Sequence, residues 1–203
     1  MDSLSRSLNW PRLVLASGSP RRRQLMRAIG ADFRVMVPRI DEPIEDGVDP
    51  SLTARRLARD KALWAHRHYT GNRGHRLILA ADTLVVYRHH VLGKPVDAAD
   101  ATRMLALLSN KWHTVVTGVC LLDRGNGTSV TAAERTRVKF RKLSREFIGR
   151  YVVSGEPLDK AGAYGIQRLG ALLVERIDGC YFNVVGLPLV RVAKMIERMR
   201  AAR

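Results

Sequence analysis

The sequence predicts an α/β fold built on one mixed sheet. Short apolar segments alternate with amphipathic helical segments over the first half of the chain, which is typical of parallel strands joined by helices. Two long β segments then follow each other across a turn rich in Gly and Asn, which indicates an antiparallel hairpin. The 203 residues can bury a proper core, and they contain no internal repeat, low-complexity segment or interdomain linker.

The strands are predicted from apolar runs bounded by turn residues. In chain order they are Arg12–Ala16, Phe33–Val37, Leu77–Ala81 with an extension over Leu84–Tyr87, Val91–Leu92, Trp112–Leu122, Ser129–Phe140 and Ala171–Ile177. The run Leu77–Ala81 is apolar at every position, and such a strand is expected to be buried on both faces. Turns are predicted at residues 71–74 and 123–128, the second of which joins the two long segments.

The helices are predicted from capping residues and from apolar positions at helical spacing. Ser19 and Pro20 suit the N-cap and the first position of a helix that Gly30 ends. In chain order the predicted helices cover Pro20–Ile29, Pro50–Tyr69, a segment capped by Asp97, a segment from Ser144 to Val153, and Leu187–Met199. The helix capped by Asp97 is expected to bury Met104, Leu105, Leu107 and Leu108.

The composition is that of a soluble globular protein, with 46% hydrophobic and 27% charged residues. No apolar run approaches the ~20 residues of a membrane span, and Met1–Arg12 lacks the apolar centre of a signal peptide. Cys120 and Cys180 are far apart and form no CxxC motif, which favours free thiols over a disulfide framework. We therefore expect a cytoplasmic protein that does not enter a membrane.

The formal net charge of +16 favours ligands that carry phosphate groups. The basic residues are spread along the whole chain, so they indicate neither a basic tail nor a basic-region helix. Aromatic residues make up 6% of the chain, which is too few for a base-stacking surface. A nucleic-acid-binding protein is the alternative, and such binding is expected to be non-specific and to weaken with salt.

The segment Leu15–Arg23 predicts a phosphate site, because it is a strand end, a turn of small residues and a helix start. Three arginines, Arg21, Arg22 and Arg23, crowd the helix end that already carries partial positive charge. An anion among these arginines and the free N–H groups would make that arrangement favourable. The alternative is a solvated basic turn, and this segment alone does not decide between the two.

Lys61 and Asp82 are charged residues at positions where apolar residues are expected. Lys61 lies within an apolar helical stripe, so it either extends to the rim of the stripe or reaches an anion in a cleft. Asp82 ends a buried strand, where a carboxylate must be paired, hydrogen-bonded or bound to metal unless it is a turn residue. The loop Arg39–Pro50 contains Asp41, Glu42, Glu45 and Asp46. One of these could join Asp82 around a hard divalent cation, and the alternative is a solvated acidic loop.

Two further segments could contact a ligand. Lys94 follows a turn, and the Gly-rich loop Ser154–Gln167 contains Gly162 and Gly165, which allow a close backbone approach. Gln167 can both donate and accept at the edge of a base, although the loop could equally be a flexible surface segment. The histidines show no metal-ligand spacing, and His113 is expected at the edge of the core. The sequence contains no GxGxxG, GxxxxGK[ST], GxSxG or HExxH motif.

Taken together, these segments resemble the Maf family of nucleoside triphosphate pyrophosphatases, and its branch acting on dTTP and UTP. The matching segments are Ala16–Arg22, Asp41–Glu42, Leu57–Ala62, Ala81–Thr83, Gly93–Pro95, Asp159–Gln167 and Val185–Leu189. The resemblance runs from about Arg12 to Ile196, so we expect residues 12–203 to form the domain and residues 1–11 to be an N-terminal extension. Two positions depart from the family pattern, because Ala80 and Arg168 stand where Gly is usual.

The resemblance implies a domain with two lobes around a nucleotide cleft, which is usually a homodimer. It implies hydrolysis of a nucleoside triphosphate to the monophosphate and pyrophosphate with Mg²⁺ or Mn²⁺. The segment Asp159–Gln167 is similar to the branch acting on dTTP and UTP. The alternative activities are a regulator of growth or division that binds a nucleotide without hydrolysing it, and a non-specific nucleic-acid-binding protein.

The residue roles follow from the resemblance together with the physical reading. The resemblance implies that Asp82 accepts the proton and that Arg21, Thr83 and Gln167 select the substrate. The residues expected to contact phosphate are Ser17, Ser19, Arg21, Arg22 and Lys160. Lys61 and Lys94 are expected to act with Asp82 in catalysis. Asp82 and Glu42 are the expected metal ligands, and the sequence does not separate the roles of Asp82 as base and as ligand.

Overall fold

Seven strands form one mixed sheet in the residues that the computed structural model describes, which are 10–44, 47–71 and 74–201. The strands are β1 (Leu13–Ala16), β2 (Phe33–Met36), β3 (Leu77–Tyr87), β4 (His90–Leu92), β5 (Trp112–Asp123), β6 (Ser129–Phe140) and β7 (Val174–Asp178). Their order is β2-β1-β3-β5-β6-β7, and β4 pairs with β3. The predictions for residues 1–9, for Glu45 and Asp46, and for Asn72 and Arg73 in a turn lie outside the described residues.

The helices are α1 (Pro20–Ala28), α2 (Pro50–His68), α3 (Ala98–Leu108), α4 (Arg145–Val153), α5 (Tyr181–Val185) and α6 (Leu189–Ala201). All but α5 were predicted, and the predicted ends lie within about two residues of the observed ones, which is the usual disagreement at frayed termini; for α3 only the start was predicted. Helix α5 was missed because five residues are too short to show a helical period. In the described part of the chain, no helix is long and apolar enough to cross a membrane.

The pairing of the strands confirms the mixed sheet. β1 is parallel to β2 and β3, whereas β3, β5, β6 and β7 pair antiparallel in that order. Asp82 and Thr83 lie inside the continuous strand β3 and do not interrupt it. The prediction that the last strand begins at Ala171 was wrong, because Arg168–Leu173 forms a 3₁₀ helix and β7 begins at Val174. A short apolar run of this length does not distinguish a strand from a helical turn.

The prediction that α3 buries Leu107 was also wrong. The buried residues of α3 are Ala101, Met104, Leu105 and Leu108, whereas Leu107 is 39% exposed. Each residue advances about 100° around a helix, so Leu107 lies roughly 100° from the centre of the stripe that the other four define. The buried stripe is therefore narrower than the apolar sequence suggests.

Helix α2 packs closely on one face of the sheet because its contact residues are small. Ala58, Ala62 and Ala65 are fully buried against side chains of β1, β3 and β5. Nearer the start of the helix, the backbone of Ala54 lies directly against Gly118 of β5. This close packing sets the position of every other side chain on α2, including Lys61.

The other face of the sheet carries two apolar clusters. One cluster contains residues of α1 and α6, including Met26 and Val192. The second contains residues of α3 and α4, including Leu105 and Ile148. Residues of both clusters, including Ile166 and Tyr164, line a single cleft. This arrangement agrees with the expected division into two lobes around a cleft.

His113 is buried within the second cluster and not at its edge, where it was expected. It is 3% exposed, its Nε2 lies 2.7 Å from the Tyr164 hydroxyl, and its ring packs edge-on against Phe140 and Tyr164. Burial lowers the pKa of His113 to about 3, because the charged imidazolium would lose its hydration. The ring is therefore neutral in the folded protein over the physiological range.

We expect the protein to lose stability as the pH falls below about 6.5, because the unfolded chain then binds a proton at His113 that the folded chain does not. Between about pH 6.5 and 4.5 the loss through this group is about 2–3 kcal/mol. Urea unfolding across this range measures it. The variant His113→Gln, which can still bond to Tyr164 but does not titrate, should give a flatter profile. Equal slopes in the two proteins would contradict the assignment.

Candidate active site

The cleft lies at a gap along one edge of β3. β1 pairs with Leu77–Ala80 and ends there, whereas β4 pairs with Val85–Tyr87. Between them, residues 81–84 have no described strand on that edge, and a cleft of about 630 Å³ opens at this place. Successive residues of a strand point to opposite faces, yet both Asp82 and Thr83 line the cleft because it extends around the open edge.

All the site residues predicted from the sequence line this cleft. They are Ser17, Ser19, Arg21, Arg22, Glu42, Lys61, Asp82, Thr83, Lys94, Lys160 and Gln167. They come from the β1–α1 turn, the first turn of α1, the acidic loop, α2, β3, the segment after β4 and the loop before β7. The fold therefore brings into one place the segments that are far apart in the sequence.

Lys61 joins two carboxylates at the floor of the cleft. Its Nζ lies 2.5 Å from Asp82 Oδ1 and 3.0 Å from Glu42 Oε1. Lys61 and Asp82 are both buried, whereas Glu42 is exposed. Lys61 therefore reaches an anion and does not extend to the rim, and Asp82 is a paired carboxylate and not a turn residue. A buried pair of this kind is costly to break, because the remaining charge would be left without a partner.

Arg22 is buried next to this pair, and neutral oxygens accept its hydrogen bonds. Its Nε donates to Gly186 O at 2.7 Å, its Nη1 to Ser17 Oγ at 3.1 Å, and its Nη2 to Thr83 Oγ1 at 2.9 Å. Burial lowers the pKa of Arg22, and the nearby charge on Asp82 partly opposes this effect. The three hydrogen bonds hold the guanidinium in one position at the N-terminus of α1, where anions are favoured.

Ser17 and Ser19 take roles that differ from the expected cap. Ser19 has the N-cap position of α1, but among the described residues its hydroxyl makes no capping bond. Instead, Ser17 Oγ accepts hydrogen bonds from the Ser19 N–H and from Arg22. Because Ser17 Oγ accepts both bonds, its own proton is left to donate toward the cleft.

The carboxylate of Asp159 pairs with two basic side chains that line the cleft. No role was predicted for Asp159 from the sequence. Its Oδ1 lies 2.5 Å from Lys160 Nζ, and its Oδ2 lies 3.6 Å from Arg21 Nη1. Partial burial raises the pKa of Asp159, but the hydrogen bond and charge of Lys160 and the charge of Arg21 outweigh burial and lower it overall. The position of Asp159 next to Lys160, in the segment Asp159–Gln167 that resembles the family, could have indicated this role.

The loop before β7 is held close to β3 by Gly162. Its N–H donates to Gly93 O at 2.9 Å, its φ is +66°, and an added Cβ would lie 2.8 Å from Val85 Cγ1. Arg168 has a φ of +57°, a left-handed conformation that Gly adopts more readily, which explains why Gly is usual there. The side chain of Arg168 is exposed outside the cleft wall, so its bulk does not displace Gln167 from the cleft.

Thr117 and Asn183 are two further polar residues that sequence reasoning missed. Both are fully buried behind Thr83, and Thr117 Oγ1 lies 2.9 Å from Thr83 Oγ1. Thr117 also donates to Asn183 O at 3.1 Å. The signal for Thr117 is a hydroxyl in the middle of the otherwise apolar run Val115–Val119.

Comparison with known proteins identifies the family. A family model described as Maf-like protein matches residues 12–199. Among similar proteins, the dTTP/UTP pyrophosphatase of Syntrophomonas wolfei is 50% identical over 184 residues, covering 91% of this chain and 95% of that protein. The dTTP/UTP pyrophosphatase of Moorella thermoacetica is 49% identical over 185 residues, covering 91% and 93%. That of Acetivibrio thermocellus is 46% identical over 189 residues, covering 92% and 94%. The chain belongs to the Maf-like protein family.

Proposed function

We propose that this protein hydrolyses dTTP and UTP to the monophosphate and pyrophosphate. The observation that carries the proposal is the buried Lys61–Asp82 pair, which lies in a cleft beside the N-terminus of α1. The volume of about 630 Å³ is in the range of small-molecule sites. The names of the similar proteins supply the reaction and the substrate class.

The chain offers several groups for a triphosphate. The Ser17 hydroxyl, the Arg22 guanidinium and the N–H groups at the start of α1 surround one side of the cleft. Lys94 and Lys160 line the cleft from other segments and can neutralise further phosphate oxygens. Such fixed charges stabilise the negative charge that develops on a departing pyrophosphate, because they need not reorganise during the reaction.

Asp82 and Glu42 fit a divalent cation such as Mg²⁺ or Mn²⁺. Asp82 Oδ1 and Glu42 Oε1 both lie within 3.0 Å of Lys61 Nζ, so the two carboxylates are close together and a cation would bind through their other oxygens. Oxygen ligands suit these hard cations, and Mg²⁺ is typically held by one or two carboxylates together with substrate phosphates. When bound, the cation would polarise the phosphate oxygens.

Asp82 would accept the proton from the attacking water. Lys61 occupies Oδ1, so Oδ2 is the oxygen left to orient and deprotonate a water. The water oxygen forms a bond to the α-phosphorus, and the bond from the α-phosphorus to the bridging oxygen of pyrophosphate breaks. Lys61 orients Asp82, while the cleft cations receive the leaving group.

Arg21, Thr83 and Gln167 would select the base. Uracil and thymine present a carbonyl oxygen at position 4 and a ring N–H, whereas cytosine presents the reverse pattern at these two positions. A polar group left unpaired by the wrong base costs about 1–3 kcal/mol, which corresponds to roughly 10- to 100-fold in rate.

The test is a panel of dTTP, UTP, 5-methyl-UTP, CTP, ATP and GTP assayed for monophosphate and pyrophosphate with Mg²⁺, with Mn²⁺ and with a chelator. We expect dTTP, UTP and 5-methyl-UTP to be hydrolysed at least ~10-fold better than the others. We expect the chelator to abolish activity, because the cleft presents oxygen ligands of the kind that bind Mg²⁺ reversibly. Equal rates on ATP would refute the base preference. Full activity in metal-free protein would refute the metal assignment.

The proposal extends to a homodimer in the cytoplasm, as the family resemblance implies. Light scattering of the purified protein tests the dimer, and a mass of one chain at micromolar concentration would contradict it.

Binding to nucleic acid would be sequence-independent and salt-sensitive, because the basic residues are dispersed. Catalytic turnover of the triphosphate panel separates the enzyme from a regulator that only binds a nucleotide.

A further inference from the structure

A buried chain of hydrogen bonds runs from the cleft along one face of the sheet. Thr83 of β3 and Thr117 of β5 are directly opposite each other, and their hydroxyl oxygens are 2.9 Å apart. Thr117 Oγ1 donates to Asn183 O at 3.1 Å. Asn183 is itself held by its side-chain Nδ2, which donates to Val115 O at 3.0 Å and to Thr136 Oγ1 at 2.9 Å. The hydrogen-bond chain therefore ends at Asn183 of α5, which is itself bonded to β5 and β6.

Counting protons selects the one set of bond directions in which every contact of this chain is a hydrogen bond. A threonine hydroxyl has one proton to donate and two lone pairs to accept. Thr117 has one proton for two contacts, so both contacts are hydrogen bonds only when Thr117 donates to Asn183 O and Thr83 donates to Thr117. Arg22 Nη2 can only donate, and it takes one lone pair of Thr83 at 2.9 Å. Thr83 is left with one lone pair and no proton for a ligand in the cleft.

We propose that Thr117, held by Asn183, is a positioning residue that makes Thr83 a hydrogen-bond acceptor toward the base. This inference rests on the proposed function, and it names the ligand group that Thr83 meets. A lone pair at that place favours a donor, and the ring N–H at position 3 is a donor that uracil and thymine have and cytosine lacks. Cytosine would place its own lone pair against that of Thr83, which disfavours CTP.

The test is Thr117→Val, which removes the hydroxyl and keeps the shape of the side chain. The proton of Thr83 then loses its partner and can turn into the cleft, where it can donate to the ring nitrogen of cytosine. We expect the ratio of kcat/KM for UTP to that for CTP to fall by about 10-fold, mainly because CTP improves. Thr117→Ser keeps a hydroxyl and should preserve the ratio.

Two controls separate this role from a merely structural one. Thr114→Val changes a threonine on the same strand outside the hydrogen-bond chain and should leave the ratio unchanged. A general loosening of the sheet lowers the rates on UTP and CTP together, so an unchanged ratio in Thr117→Val would overturn the proposal. If Thr117→Val fails to fold, Thr117→Ala removes the same hydroxyl without adding a methyl group to the core.

Binding of the α,β-imido analogues of UTP and CTP, measured by calorimetry, distinguishes failure of this inference from failure of the proposed function. If the wild type binds the UTP analogue preferentially but hydrolyses neither nucleotide, the proposed reaction is wrong. The binding ratio in Thr117→Val then still tests the role of Thr117. If the wild type hydrolyses UTP and the variant keeps full discrimination in binding and in turnover, the reaction stands and the inference is wrong.

Discussion

Replacing Asp82 by Asn is expected to lower kcat/KM for UTP by about 10³-fold or more while leaving the fold intact, because the amide cannot accept a proton from water. Asn has the same volume as Asp, and its side-chain oxygen can still accept the hydrogen bond from Lys61. Glu42 remains 3.0 Å from Lys61, so the buried ammonium keeps a negative partner. Steady-state release of pyrophosphate, together with circular dichroism of the variant, measures the two parts of this prediction.

The matched control is Asp178→Asn, which removes an exposed carboxylate of β7 that pairs with Arg137 at 3.8 Å. An exposed pair of this kind contributes little to stability, so activity and fold should both be retained. A folded Asp82→Asn protein with near-wild-type activity would remove Asp82 from the mechanism. Loss of activity in both variants would indicate a general effect of charge and not a catalytic role.

Replacing Gly118 by Ala is expected to lower the free energy of unfolding by about 3 kcal/mol. The added Cβ would overlap the backbone carbonyl group of Ala54 and approach Arg55 N at 2.5 Å. Backbone atoms of a helix cannot rotate aside as a flexible side chain can, so α2 as a whole would have to move. Because α2 carries Lys61, we expect activity to fall as well. Urea unfolding and the pyrophosphate assay measure both effects.

The control for this variant is Gly149→Ala in α4. The position is exposed, and an added Cβ would meet no described atom within 4 Å. Ala has a higher helix propensity than Gly, so we expect a stabilisation of about 0.5–1 kcal/mol. If Gly118→Ala is as stable as the wild type, the close packing of α2 on β5 is not required for stability.

The elements that the sequence predicted well are those with a strong local signal. Leu77–Ala81 is a buried strand because every side chain in it is apolar, and α2 was predicted from its capping Asp49 and its alanine stripe. The predictions failed at short segments. Helix α5 was missed, and β7 begins three residues later than predicted, at Val174. A short segment contains too few residues for hydrophobic periodicity to distinguish a strand from a helical turn.

The site was predictable as a set of separate residues. Helical spacing predicted that the side chain of Lys61 points inward from α2. The apolar run before Asp82 predicted that its carboxylate is buried at a cost in free energy. Neither argument could identify the partner of either residue. Lys61 and Asp82 are 21 positions apart, and their contact depends on how α2 packs against the sheet.

The sequence by itself determined which residues are charged, small or apolar, where most of the regular elements form, and which motifs resemble a known family. Only the tertiary structure decided that β1 ends where β3 continues, so that a cleft opens between β1 and β4. It also brought Arg22 to Gly186, 164 positions away, and aligned Thr83 with Thr117. The physical reason is that hydrophobic periodicity and capping act over a few residues. Pairing across the sheet depends on strand register and helix packing, which arise from contacts between distant segments.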